Sequence, residues 1–307
     1  MGHDLAPAAE RDYGDILWQP SAQSAGRSVV ARYIRWLADH GGPLIDAPGG
    51  VPTYRQLWQW SVDEPGEFWS SIWDFFGVLG TRGAGPVLTG QLPSASWFDG
   101  STLNYARNAL HRAAAEPDLI AISYSSEAGH DGQLSYGELR AQVARVRAGL
   151  AALGVGRGDR VAAYLPNAPE ALIAMLATAS LGAIWTSCSP DFGARSVIDR
   201  FAQISPKVLL GVDGYAYGGK RFDRRPELAA IAAELPGLHA VVLVDYLGSG
   251  AGTGAGTSTG TGTGLAGLPA EVQQLSWDSL GPADASQAKL EFTEVPFSHP
   301  LWVLYSS

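Results

Sequence analysis

RVAAYLPNAPEALIAMLATASLGAIWTSCSP, residues 160–190, decides the fold. Its opening, RVAAYLP, is a short apolar run stopped by proline, the pattern of a buried strand. Asn167 and Glu170 then stand at capping-box spacing before ALIAMLATASL, a run of good helix formers. Gly182 closes that helix, and GAIWTSC follows as a second strand. No charged residue interrupts the stretch from Ala171 to Pro190, which is long enough to raise the question of a membrane span. The helical part, about 14 residues, would reach only ~21 Å across a ~30 Å hydrocarbon core. Its second half is small and polar, so a buried helix leading into a strand is expected, in a soluble protein.

The same alternation extends both ways. Downstream come SVIDRFAQI (helix), KVLLGVD (strand), PELAAIAAEL (helix) and AVVLVDY (strand). Upstream, LIAISY (119–124) reads as a strand, and Ser135 with Glu138 forms a second capping-box pair. Leu139, Val143, Val146 and Leu150 then recur on one helical face until Gly154 ends it. Strand and helix in regular succession predict an α/β fold, a mostly parallel sheet with helices on both faces.

Flanking this part are segments of other character. Residues 1–115 carry most of the ten tryptophans, as in YRQLWQWSVDEPGEFWSSIWDFFG (54–77) and SASWFDGSTLNYARNAL (94–110). Phe68, Ile72, Phe75 and Phe76 recur at helical spacing after a start at Asp63, Pro65 and Glu67, so a Trp-rich helical extension packed on a larger body is expected. Residues 116–307 form the α/β part, interrupted by GSGAGTGAGTSTGTGTGLAG (248–267), a low-complexity insert that can bury nothing. That insert spells GxGxxG-like strings, but no helix pattern opens after them, so they are no dinucleotide fingerprint. A chain 46% hydrophobic and 17% charged is globular. Its net charge of −9 argues against a nucleic-acid partner. Cys188, the single cysteine, excludes an internal disulfide and fits a reducing, cytoplasmic setting.

Metal and dithiol motifs are missing: there is no HxxEH or CxxC, and the six histidines (His3, His40, His111, His130, His239, His299) are scattered. No metal site and no catalytic residue is expected within these residues. One stretch stands out electrostatically. GYAYGGKRFDRR (214–225) sets Lys220, Arg221, Arg224 and Arg225 against Asp223, with Tyr215, Tyr217 and a Gly218–Gly219 pair between them. It follows the strand KVLLGVD, and ligands of open parallel sheets bind beyond the carboxyl ends of strands. Two readings stand side by side: a phosphate-binding loop for an adenine nucleotide, or a glycine turn with a solvated basic helix start. LWVLYSS (301–307) reads as a buried strand running into Ser306 and Ser307, either the start of a phosphate-cradling turn or simply a frayed end.

YRQLWQWSVDEPGEFWSSIWDFF with WFDGSTLNYARNAL resembles the N-terminal segment of acetyl- and acetoacetyl-CoA synthetases, members of the adenylate-forming enzymes. The run from RVAAYLP to YGGKRFDRR, with SCSPDFG (187–193), is similar to the acetoacetyl-CoA branch. The resemblance implies a ligase that joins acetoacetate to ATP as acetoacetyl-AMP, with Mg²⁺, and passes the acyl group to coenzyme A. It carries coenzyme A phosphate contacts onto Tyr217, Gly218, Gly219 and Lys220. The family often has arginine where Tyr217 stands, so Lys220 alone keeps the charge. Cys188, Ser189 and Phe192 match the stretch beside the acyl and pantetheine channel. Ser306 and Ser307 match the first hydroxyls of the ATP phosphate loop. The remainder of that loop, the adenine and ribose contacts and the adenylation lysine correspond to positions past Ser307, so the 307 residues alone are expected to be inactive. The rival expectations are a related ligase acting on acetate or propionate, and a non-catalytic module that holds coenzyme A.

Overall fold

The computed structural model describes residues 16, 18–42, 53–248, 265–284 and 287–306. Ser307 and most of the Gly/Thr-rich insert lie outside these. The chain divides into two compact units, Met1–Val78 and Leu79–Ser307.

The first unit is helical: α1 (Ala22–Gly26), α2 (Val29–Asp39), α3 (Tyr54–Asp63) and α4 (Pro65–Phe76). Thr53 and Gln56 close a capping box on α3, and α4 starts with proline at its first position and stops at Gly77 in the left-handed conformation. Tyr33, Ile34, Leu37 and Leu57 are buried, with Trp36, Trp60, Phe68, Ile72 and Phe75 packed against them. The Trp-rich helices therefore have a core of their own. Of the aromatic positions flagged there, Tyr54, Trp58 and Phe76 are exposed.

The second unit opens with short strands β1 (Gly80–Thr81), β2 (Leu88–Thr89), β3 (Ser96–Trp97) and β4 (Thr102–Leu103), then α5 (Tyr105–Ala109). Next come β5 (Ile120–Tyr124), β6 (Gly132–Ser135), α6 (Tyr136–Ala152), β7 (Arg160–Tyr164), α7 (Pro169–Ser180), β8 (Ile184–Cys188), α8 (Ala194–Phe201) and β9 (Val208–Val212). A hairpin of β10 (Gly214–Tyr217) and β11 (Lys220–Asp223) precedes α9 (Arg225–Glu234), β12 (Ala240–Val244), β13 (Gln273–Ser276) and β14 (Val295–Pro296). β4 lies between β1 and β14, so residues from Leu79 onward fold with the α/β body although their composition matches the Trp-rich segment.

The centre is a five-stranded sheet in the order β13-β12-β9-β7-β8, every neighbouring pair parallel. Burial on both faces explains why the strands read as unbroken apolar runs. Val161, Ala163, Val208, Leu210, Val212, Ala240, Val242 and Val244 pack with residues of α6 and α7. Ala162, Tyr164, Leu209, Val241 and Leu243 face Phe201 of α8 and Leu228 and Ile231 of α9. The expected helices on both faces are thus present. Ser135 and Glu138 make the expected capping box, and the four apolar positions of α6 are all buried.

Three expectations are corrected. Strand 119–124 does not join the parallel sheet; β5 pairs antiparallel with β6, with a register shift between Ile120 and Ile122. Asn167 does not cap α7, because the cap falls on Ala168 with Pro169 behind it, whose missing N–H removes one donor from the first turn. The segment Leu301–Tyr305 is not buried on both faces. It runs parallel along the outer edge of β8, with Trp185 N–H donating to Leu301 O (3.0 Å) and Val303 N–H to Trp185 O (2.8 Å). One face packs, Tyr305 donating to Arg200 O at 2.9 Å, while Trp302 (43% exposed) and Leu304 (80% exposed) face outward.

Candidate coenzyme and nucleotide site

β7 lies inside the sheet with β8 on one side and β9 on the other, so the chain reverses direction of travel across the sheet between β8 and β9. The crevice at such a switch point, beyond the carboxyl ends of the strands, is the ligand-binding position of open α/β sheets. Three loops emerge there: Leu165–Ala168 after β7, Ser189–Gly193 after β8, and the β10–β11 hairpin after β9.

The hairpin is the basic stretch singled out in the sequence. Tyr217 and Lys220 pair across its tip, and Gly218 and Gly219 form the turn with φ of 57° and 73°. Positive φ at both central residues is the turn that matches strand twist, which is why two glycines stand here. At the root, a Cβ on Gly214 would lie 2.2 Å from Phe222 O, so only glycine lets the two strands approach. Most of the local charge is already spent. Arg221 donates to Leu247 O, Arg224 pairs with Glu227 at 2.6 Å and donates to the Tyr215 hydroxyl at 3.2 Å, and Arg225 pairs with Asp223 at 2.7 Å. The exposed Lys220 side chain has no hydrogen bond or ion pair among the described residues. In the basic run Lys220 thus stands at a glycine tip, with Arg224 and Arg225 neutralised by ion pairs and Arg221 hydrogen-bonded to a carbonyl. Tyr217 beside it is 70% exposed.

Asp213 joins this hairpin to the sheet. It is buried at the end of β9, and its carboxylate accepts the N–H groups of Tyr246 (2.8 Å) and Leu247 (3.0 Å) past the end of β12. Its own carbonyl accepts the Arg224 N–H at 2.7 Å, where the hairpin closes. A second loop, between β5 and β6, reaches the same end of the sheet. Asp131 accepts from Ser126 N–H at 3.2 Å, and His130 Nε2 sits 2.5 Å from Tyr246 O. The Ser125 hydroxyl, with the Ser126 N–H, holds the Asp131 carboxyl below the usual carboxylate range.

At the end of β8, Cys188 is buried among apolar side chains, and burial pushes its thiol up. A protonated thiol makes it a wall residue, not a nucleophile. Ser189 and Phe192 are exposed in the loop beyond, with Arg200 stacked 5.4 Å from the Phe192 ring centre. Tyr164, the last residue of β7, fixes this loop: its hydroxyl lies 2.8 Å from both Pro190 O and Phe192 O. Burial pushes the Tyr164 hydroxyl up to about 12, against the opposing pull of nearby Arg224. A phenol raised in the folded state is fully stabilising below the unfolded value near 10 and loses that stability as pH climbs towards 12. Wild-type protein should therefore lose on the order of 2–3 kcal/mol through Tyr164 between pH ~10 and ~12. Denaturant titrations across that range should show the slope reduced in Tyr164→Phe; equal slopes would refute the role.

The sequence-derived candidates thus share one end of the sheet but not one strand. The hairpin follows β9, Cys188 to Phe192 follow β8, and Ser306 follows the edge segment beyond β8. From β9 to that edge is three strand spacings, about 14 Å. Ser307 is outside the described residues. Asp213, Tyr164 and Glu127, whose carboxylate accepts the Gly219 N–H at 3.2 Å, escaped the sequence reading. Asp213 had a signal, a carboxylate directly ending the apolar run KVLLGVD; Glu127 had none.

The parallel sheet thus carries a glycine hairpin with an exposed lysine beyond the carboxyl end of β9, the position at which open α/β sheets bind ligands. A family model described as AMP-binding enzyme matches residues 110–285, and one described as acetyl-coenzyme A synthetase N-terminus matches residues 54–109. The chain belongs to the AMP-binding enzyme family. It is 39% identical to an acetoacetyl-coenzyme A synthetase of Rhizobium meliloti (strain 1021) and 36% identical to an acetoacetyl-CoA synthetase of Danio rerio, each over 95% of this chain and 41% of the relative. The solved acetoacetyl-CoA synthetase of Streptomyces lividans matches with 44% identity and a TM-score of 0.80, over 94% of this chain and 41% of that one. The chain thus spans about two fifths of the length of these relatives. Among the described residues no helix is long and apolar enough to cross a membrane.

Proposed function

We propose that this chain forms part of an AMP-forming acetoacetate–CoA ligase and supplies its coenzyme A phosphate contacts. The observation that carries the reading is the 44% identity to a solved acetoacetyl-CoA synthetase across nearly the whole chain. In the first half-reaction an acetoacetate oxygen attacks the α-phosphorus of ATP and diphosphate leaves. In the second, the coenzyme A sulfur attacks the acyl carbonyl and AMP leaves, its phosphate being a far better leaving group than a carboxylate oxygen.

In this reading the exposed Lys220 ammonium and the amides of Gly218 and Gly219 hold a coenzyme A phosphate, with Tyr217 beside them. Cys188, Ser189 and Phe192 border the pantetheine and acyl path, and Ser306 opens the ATP phosphate loop. Among the described residues no cluster of three or more His, Cys, Asp or Glu could ligate a metal; Mg²⁺ would then enter on the ATP phosphates, as it commonly does. A division near residue 115, between an N-terminal extension and the AMP-binding part, is supported by the change of matching family at residue 109 to 110. The buried free thiol of Cys188 supports a cytoplasmic setting.

The binding half of this proposal is tested by titrating coenzyme A into the 307-residue polypeptide. Lys220→Ala should weaken binding roughly tenfold, the scale of one charge-assisted phosphate contact. Unchanged affinity would remove the hairpin from the site.

A further inference from the structure

The hairpin tip is not idle in the absence of a ligand. The N–H of Gly219 donates to a carboxylate oxygen of Glu127 at 3.2 Å. Gly219 lies in the turn between Tyr217 and Lys220, where both glycines take positive φ and turn backbone amides outward. An N–H that already receives a carboxylate is a donor open to anions. Its partner comes from a distant part of the chain, and it is held there by structure.

Glu127 sits in the β5–β6 loop. Asp131 closes the base of that loop onto Ser126, and the Ser126 hydroxyl accepts the His130 N–H at 3.2 Å. The His130 ring is moored to Tyr246, with ring centres 4.8 Å apart and Nε2 at Tyr246 O. Ala128, next to Glu127, packs against the main core. Tyr246 is in turn tied by its N–H to Asp213, whose carbonyl receives the N–H at the end of the hairpin. The acidic loop and the basic tip are thus fixed to the same strand ends, β9 and β12. Glu127 and Lys220 leave one negative and one positive group at a tip whose other cations are engaged.

We propose that Glu127 is a built-in stand-in for the phosphate: its carboxylate occupies the Gly219 amide until a coenzyme A phosphate displaces it. The inference rests on the coenzyme A reading of the hairpin and adds a gate to it. A phosphate arriving at the hairpin tip meets the like charge of Glu127 and competes with it for the Gly219 N–H. Glu127 thereby sets the affinity for the phosphorylated coenzyme and leaves the unphosphorylated pantetheine arm unaffected.

The test is calorimetric titration of coenzyme A, and separately of pantetheine, into the 307-residue polypeptide and its Glu127→Gln, Glu127→Ala and Lys220→Ala variants. Both Glu127 variants should bind coenzyme A about three- to tenfold more tightly, the range for removing one exposed like charge, with the hydrogen bond lost outright only in Glu127→Ala. Pantetheine should bind all four proteins alike, and the gain should shrink as salt is raised. Hydrogen exchange at the Gly218–Gly219 amides should quicken in Glu127→Ala and slow again with coenzyme A. If Lys220→Ala weakens coenzyme A while the Glu127 variants match or fall below wild type, the gate is refuted and the coenzyme A site stands. If coenzyme A binds none of the four, the site reading falls and the gate with it. Glu127 is exposed and outside the core, so loss of folding does not confound its variants.

Discussion

Phe201→Ala should cost the α/β unit on the order of 3–5 kcal/mol, the range for emptying a large aromatic site in a close-packed core. Phe201 ends α8 and has no exposed surface. It packs with Leu228 and Ile231 of α9 over the sheet face carrying Ala162, Tyr164, Leu209 and Val241. The same cluster contains Cys188, so a cavity there loosens the support of the β8 loop as well as the fold. Equilibrium unfolding in denaturant checks it, followed by a probe of the Leu79–Ser307 unit. A loss below about 1 kcal/mol would mean that this face is not packed as described, because even a single buried methylene is worth roughly that much.

Asp213→Ala should be nearly as damaging, by about 2–4 kcal/mol, through a different mechanism. The carboxylate accepts two N–H groups past the end of β12, and alanine leaves both without that acceptor in a buried setting, at about 1–3 kcal/mol for each orphaned group. Asp213→Asn keeps the shape and one acceptor oxygen and should lose less. Amide exchange at Tyr246 and Leu247 should accelerate in Asp213→Ala well beyond what global destabilisation produces. Exchange unchanged at those two amides, with stability unchanged, would show that the strand ends are held by something else.

How far the sequence revealed this molecule depends on the kind of interaction. The central sheet was legible because strands buried on both faces are apolar without interruption, and helices covering them show apolar residues at helical spacing, as Leu139, Val143, Val146 and Leu150 do. The hairpin was legible as chemistry but not as shape. GYAYGGKRFDRR announced charge and glycine, whereas the pairing of Arg224 with Glu227 and of Arg225 with Asp223 is decided by which side chains meet, so the count of charges overstated what is free to bind an anion. Strand order was not legible: LIAISY has the composition of a sheet member, and only its pairing with β6 places it outside the parallel sheet. Long-range polar contacts were hidden for the same reason. Glu127 meets Gly219 across 92 positions, and nothing local to either residue foretells it. The half-exposed edge at Trp302 and Leu304 misled because an edge strand open on one face has the same apolar composition as a buried one.

Acid-dependent diphosphate release decides the account most directly. A protein of the relatives' full length that carries this sequence would be given ATP, Mg²⁺ and coenzyme A with acetoacetate, acetate or propionate in turn. Acetoacetate should support release at a kcat/KM well above the other two, with acetoacetyl-CoA and AMP formed in equal amounts. Release driven best by acetate or propionate, or by none of the three, would contradict it.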